Sequence, residues 1–166
     1  MQLLCVLSLL VALAPGSQAP APKAPAKTPA AAPAAAAAKG GRTVELTGGD
    51  DMKYNMTTIN AKPGETVHVV LKSVGTIPKI AMAHNFVLLK AEADVNEFIK
   101  SSMNARDTDY IPADQKAHVL ASTKLAGPGE TVEVTFKAPA KAGSYPYMCT
   151  FPGHFAAGMK GQLVVK

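Results

Sequence analysis

The amino-acid sequence after residue 41 predicts an all-β sandwich with one short helical insertion. Short runs rich in Val, Thr and Ile alternate with clusters of Gly, Pro and Asn, which is the pattern of a sandwich of strands and not of βαβ units. Two of these runs, Thr66 to Leu71 and Thr131 to Phe136, alternate faces residue by residue. Both are entered through the same P-G-E-T-V string, Pro63 to Val67 and Pro128 to Val132, a shared way of turning into a strand.

The chain before this region is of another kind. The stretch from Met1 to Gly41 holds 14 alanines, six of the 13 prolines, three lysines and no acidic residue, a composition that cannot build a core. Met1 to Ala14 is an apolar run too short to span a bilayer, for which about 20 residues are needed, and it fits the apolar part of a secretory signal. No Lys or Arg precedes it and proline follows the small-residue sites at Ala14 and Ala19, so residues 1–19 are read as a signal peptide or an N-terminal anchor. Residues 20–41, with five Pro and 11 Ala, read as an extended linker. Residues 42–166 form one domain, long enough to bury a core of its own.

Within that domain strands are expected at Thr43 to Leu46, Thr66 to Leu71, His84 to Lys90, His118 to Ser122, Thr131 to Phe136, Ser144 to Cys149 and Gln162 to Val165. In Thr131 to Phe136, Val132, Val134 and Phe136 share one face while Thr131, Glu133 and Thr135 share the other. Pro146 removes a ladder donor and must face an unpaired side or a bulge. Asp94 to Met103 is the helical exception: Asp94 can cap it, Glu97 follows three residues later, and Val95, Phe98, Ile99 and Met103 recur at helical spacing. Asn104 to Lys116 is polar and is expected to be a loop.

Charge narrows the function. The net +5 falls to +2 once Lys23, Lys27 and Lys39 are set aside, and the remaining basic residues are scattered singly. A nucleic-acid surface would concentrate them in a stripe with aromatics, so no nucleic acid is expected as a partner.

The chemistry lies in C-T-F-P-G-H-F-A-A-G-M. With Cys5 in the leader, Cys149 is the domain's lone cysteine, and an unpaired thiol in an exported protein asks for a reason. His154 follows five positions on and Met159 five after that. Thiolate, imidazole and thioether are soft ligands that select copper over magnesium, calcium or manganese. A strand ending at Cys149 and a turn at Pro152-Gly153 let the loop bring all three to one point. His84, far upstream at the head of an apolar run, can supply the missing strong ligand. Two histidines and a thiolate with a weak axial methionine make the blue-copper arrangement, with no position left open for a substrate, unlike catalytic zinc. His68 and His118 have no soft ligand beside them in sequence and are read as surface or hydrogen-bonded histidines.

A-H-N-F-V-L at Ala83 to Leu88 and Y-P-Y-M-C-T-F-P-G-H-F-A-A-G-M-K-G at Tyr145 to Gly161 resemble the two copper motifs of azurin-like cupredoxins, auracyanins included. The resemblance spans about Thr43 to Lys166 and includes I-P-K-I-A-M-A-H, D-Y-I-P and A-S-T-K-L. Four residues between His154 and Met159 match the auracyanin-like pattern, where azurins have three. It implies a Greek-key β-sandwich holding one type 1 copper ion that cycles between Cu(I) and Cu(II). It implies His84, Cys149 and His154 as equatorial ligands, Met159 as the axial one, and Asn85 bracing the thiolate loop near Thr150. The azurin glycine whose carbonyl is a distant fifth ligand is replaced by Ala83, and the azurin N-terminal disulfide is lacking. Met82, Pro152, Phe155, Ala156 and Ala157 would form an apolar patch around His154 where redox proteins, cytochromes or other electron-transfer proteins, dock transiently.

The resulting expectation is a monomeric, non-enzymatic electron carrier, periplasmic or otherwise extracytoplasmic, with the N-terminus as a route to a membrane tether. The rivals are a copper-holding or copper-delivery protein with the same ligands, and a structural zinc site.

Overall fold

The computed structural model describes residues 41–166. The expected signal or anchor at 1–19 and most of the expected linker at 20–41 lie outside the described residues.

Two sheets make the body. The first has β1 (Arg42–Gly48), β3 (Thr66–Ser73) and β6 (Thr131–Lys137) in the order β1-β3-β6, with β1 parallel and β6 antiparallel to β3. The second runs β2-β8-β7-β4-β5, with β2 (Thr58–Ala61), β4 (Val87–Leu89), β5 (Val119–Ser122), β7 (Gly143–Met148) and β8 (Lys160–Val165). Here β2 lies parallel to β8 and the other pairs are antiparallel.

Alternation decides which side chains meet between the sheets. Val44 and Leu46 of β1, Val67, Val69 and Leu71 of β3 and Phe136 of β6 share one buried cluster with Ile59, Ala61, Leu88, Tyr145, Tyr147, Leu163 and Val165 of the second sheet. The neighbours on the other face of β4 and β7, Val87, Leu89 and Met148, pack instead with Phe98 of α1 (Val95–Ser102), flanked by Val95 and Ile99. Strand β4 is therefore buried on both faces, the reason its sequence is an unbroken apolar run and not an alternating one. Asp94 caps α1, its carboxylate accepting from the N–H groups of Asn96 and Glu97. Met103, expected on the apolar face of this helix, is exposed.

The two P-G-E-T-V entries are the same turn. Glu65 N–H bonds Lys62 O at 3.0 Å and Glu130 N–H bonds Gly127 O at 2.9 Å, with Gly64 and Gly129 at φ 71° and 73° in the third position. In each, the glutamate carboxylate also accepts from the first residue's N–H, Lys62 at 2.7 Å and Gly127 at 2.9 Å. Backbone hydrogen bonding holds both carboxyls below the usual range, after the Lys79 side chain in the case of Glu130 and ahead of Arg42 for Glu65.

Three expectations need correction. The strand at His84 to Lys90 keeps ladder geometry only over Val87–Leu89, because Asn85 turns its side chain to Thr150 and Phe86 N–H goes to the Thr123 hydroxyl. His84 instead makes an isolated bridge to Ala126. Strand β2 went unread because only Ile59 and Ala61 of its four residues turn inward, too short an alternation to stand out. The segment Asn104 to Lys116, expected as loop, contains the 3₁₀ turn Arg106–Thr108 and the start of a second, Ala113–His118. Pro146 sits opposite Gln162 of β8, while β4 reaches only Tyr147 and Met148, so the proline lies where β7 has no neighbour on that side.

Candidate metal centre

Cys149 lies one residue past β7, fully buried, and its N–H donates to Met159 O at 3.0 Å. That bond closes the chain between them into a loop which begins as β7 ends and returns directly into β8. Inside the loop a single helical turn, α2 (His154–Ala157), is entered and left through Gly153 and Gly158 at φ 86° and 101°, conformations that disfavour any side chain. Met159 N–H bonds His154 O at 2.9 Å, so the loop holds its own shape. The ring of His154 lies against Phe151, centroids 4.8 Å apart.

His84 comes from a distant part of the chain. Its N–H and C=O exchange bonds with Ala126 at 2.9 and 2.7 Å, which fixes the backbone at the mouth of the second sheet. The donor atoms of His84, Cys149 and His154 lie within 4.8 Å of one another, all three residues buried. Cys149 Sγ is 3.5 Å from His154 Nδ1, and the two imidazole centroids are 5.0 Å apart. The Cys149 thiol also faces the carbonyl of Ala83 at 3.9 Å. Met159 is buried and packs against the same space: a Cβ placed on Gly48, at the end of β1, would stand 2.6 Å from its Cε and 3.0 Å from His84 Cγ. Gly48 is a residue that sequence reasoning missed. Nothing in G-G-D-D announces that a backbone must pass this close to two distant side chains.

These residues fit a soft metal ion. His84 has both Nδ1 and Nε2 buried without a hydrogen-bond partner, an arrangement a folded protein avoids unless something binds there. Burial pushes the Cys149 thiol up to about 12, against the N–H groups of Asn85 and Phe151, which favour the thiolate. Burial, then the neighbouring His84, takes His154 down to about 4. His84 is also lowered by burial, with Asp50 and Asp51 acting the other way. At neutral pH the set is thus two neutral imidazoles and one thiol, and a metal ion would take the place of a single proton.

Asn85 joins the two sides of the centre. Its Oδ1 accepts from Thr150 N–H at 2.9 Å, and its Nδ2 donates to the Thr150 hydroxyl and to Asp109 O, both at 2.8 Å. All of these are satisfied internally, although Asp109 as a partner had no signal in the sequence. Asp109 and Tyr110 hold φ of 54° and 60°, a strained corner that aims this carbonyl inward.

Sequence from residue 42 to residue 166 matches the family model described as copper binding proteins, plastocyanin/azurin family. The chain belongs to this family. It is an azurin- and auracyanin-like cupredoxin, a blue copper protein whose cofactor is one copper ion. It is 40% identical over 128 residues to azurin of Pseudomonas aeruginosa, covering 75% of this chain and 84% of that one. Auracyanin-A of Chloroflexus aurantiacus is 37% identical over 126 residues, 74% of each chain. Outer membrane protein H.8 of Neisseria meningitidis serogroup B is 42% identical over 119 residues, 70% of this chain, and the match spans 63% of that relative's length. Among solved structures, reduced auracyanin from Roseiflexus castenholzii superposes with a TM-score of 0.67 at 34% identity, covering 76% of this chain and 98% of that one.

Of the other residues singled out in sequence, Pro152 and Ala156 are exposed, while Met82, Phe155 and Ala157 are half-buried around a His154 that is only 2% exposed. Two lysines border this face of the cupredoxin: Lys53 donates to Ala157 O, and Lys160 sits over the Phe155 ring at 4.3 Å. His68 lies apart from the centre, its Nε2 2.8 Å from Glu133 on β6.

Proposed function

We propose that this cupredoxin carries single electrons between redox proteins outside the cytoplasm, with His84, Cys149 and His154 as its strong copper ligands and Met159 as the weak axial one. The observation that carries the reading is the buried, mutually close trio of soft donors in which His84 has no partner of its own. Copper held by two imidazoles, a thiolate and a thioether gains and loses one electron with little rearrangement. The protein's part is to keep those donors still and dry. The Cys149-to-Met159 bond and the Asn85–Thr150 pair fix the loop, and the N–H groups of Asn85 and Phe151 stabilise the sulfur's negative charge. The Ala83 carbonyl, facing the sulfur, is the candidate for a weak fifth contact.

No substrate is turned over in this reading. Electrons would leave through His154 to partners docking on Met82, Pro152, Phe155, Ala156 and Ala157. Residues 1–19 would export the chain or anchor it, residues 20–41 would space the domain from a membrane, and the domain would work as a monomer. The name of the relative outer membrane protein H.8 accords with such a location, and no helix among the described residues is long and apolar enough to cross a membrane.

The test is the visible and electron paramagnetic resonance spectrum of the full chain loaded with Cu(II), then reduced and reoxidised. An intense blue thiolate-to-copper band with a small copper hyperfine splitting, both lost and regained with the electron, is expected. A colourless or ordinary tetragonal centre would overturn the proposal and leave metal holding as the function.

A further inference from the structure

A metal-binding histidine ordinarily donates its second ring nitrogen to a carboxylate or carbonyl, and that bond sets the plane of the ring. His84 has no such bond at either nitrogen. Its ring must be oriented by its backbone and by what presses on it. The residues leading to it, Val74 to Met82, carry no regular element and expose Val74, Ile77 and Ile80, so they have little packing of their own. An arm of this kind can hold a ligand only if something else holds the arm.

One segment touches it three times. Gly48 lets the backbone at the end of β1 lie against His84 Cγ and Met159 Cε, as described above. Two residues on, the Asp50 carboxylate accepts from Thr76 N–H at 2.8 Å, from the Thr76 hydroxyl at 2.9 Å and from Ile77 N–H at 3.4 Å, and the backbone of Gly75 is packed directly on its Oδ1. At the far end of the segment the buried Tyr54 donates its hydroxyl to the carbonyl of Asn85, the residue after His84. Tyr54 is itself fixed, its ring 5.6 Å from that of Tyr147 and its backbone bridged to Gly48.

We propose that the segment Gly48 to Tyr54 is a clamp that presets His84 for copper, with Asp50 holding the arm from the surface side and Tyr54 from the core side. Both are positioning residues and neither touches the metal. The inference rests on His84 being a copper ligand, as proposed above.

The experiment compares Asp50→Ala, Asp50→Asn and Tyr54→Phe with the parent full chain, and with Arg42→Ala as a control at the other end of β1, where Arg42 bonds Glu65. Two readouts are taken. In the copper-loaded proteins, the rate at which a chelator removes copper should rise about tenfold in Asp50→Ala and in Tyr54→Phe. The paramagnetic resonance lines should broaden with it, while Asp50→Asn, which keeps an acceptor oxygen, should fall in between. In the metal-free proteins, amide exchange at Thr76, Ile77 and His84 should quicken in Asp50→Ala and not in Arg42→Ala. Unchanged copper release and line width in both clamp variants would overturn the proposal, as would unchanged amide exchange. If the parent chain shows no blue centre, it is the copper reading that fails, and the metal-free exchange then decides whether the clamp exists.

Discussion

Cys149, His154 and Met159 sit together on one short stretch of chain, whereas His84 arrives from far earlier in the sequence on an arm with no regular structure. The loop bearing the first three is closed by its own backbone bonds, Cys149 N–H to Met159 O and Met159 N–H to His154 O, and is rooted at both ends in paired strands of one sheet. The arm bearing His84 is held by residues far away in sequence: Ala126, Gly48, Asp50 and Tyr54. A ligand loop that closes on itself carries its geometry in its spacing, and an arm held from outside carries none.

Changes on the loop side should have the largest consequence. Cys149→Ser replaces the thiolate with a hydroxyl of far lower affinity for copper, and any intense blue band should vanish; a serine variant that stayed blue would mean that sulfur is not a ligand. Asn85→Ala strikes the bond between loop and arm. It leaves Thr150 N–H, the Thr150 hydroxyl and Asp109 O without that partner, at a cost of about 2–4 kcal/mol. Chemical denaturation of the metal-free protein measures this, and a loss below about 1 kcal/mol would show that loop and arm stand without each other.

Two glycines then separate the regions. Gly48→Ala inserts a methyl group between Met159 and His84 and should cost about 1–3 kcal/mol while shifting the copper spectrum. Gly158→Ala forces a side chain into φ 101° and should cost about 1–2 kcal/mol through the loop backbone. If both variants alter the spectrum in the same way, the distinction between a self-closed loop and an externally held arm is wrong.

A pH slope bears on both regions at once and so separates them least. With the Cys149 thiol at about 12, His154 at about 4 and His84 held below its ordinary value, copper binding between about pH 7 and 9 releases one proton, so affinity should rise about tenfold per pH unit. Affinity falls as pH falls, and below about 4 the slope should steepen as His154 takes up a proton that copper must also displace. Copper titrations at several pH values give the slope directly, and a flat profile would mean that Cys149 is already a thiolate before the metal arrives.

How much of this was legible follows the same division. The apolar alternation of β3 and β6 and their shared turn are local, and both could be read. The Asp94 cap of α1 was legible for the same reason. Strand β2 was missed because it exists only by lying beside β8, with two inward residues of its own. The run from His84 has the pattern of a strand from end to end, because apolar sequence does not say where pairing stops. It stops where Asn85 and Phe86 find side-chain partners from other segments, Thr150 and Thr123.

For the metal centre, the sequence alone determined which atoms could act: a lone thiol, two imidazoles and a thioether at spacings that a strand, a turn and a return strand can close. Donor chemistry belongs to residue type and loop closure to spacing, so both are written in the chain. Only the tertiary structure decided that Gly48 gives up its side-chain volume to Met159 and His84, that Asp109 turns its carbonyl toward Asn85, and that Asp50 and Tyr54 grip the arm from its two sides. Those are contacts between segments far apart in the chain, and they depend on how two sheets stack, which no local pattern records.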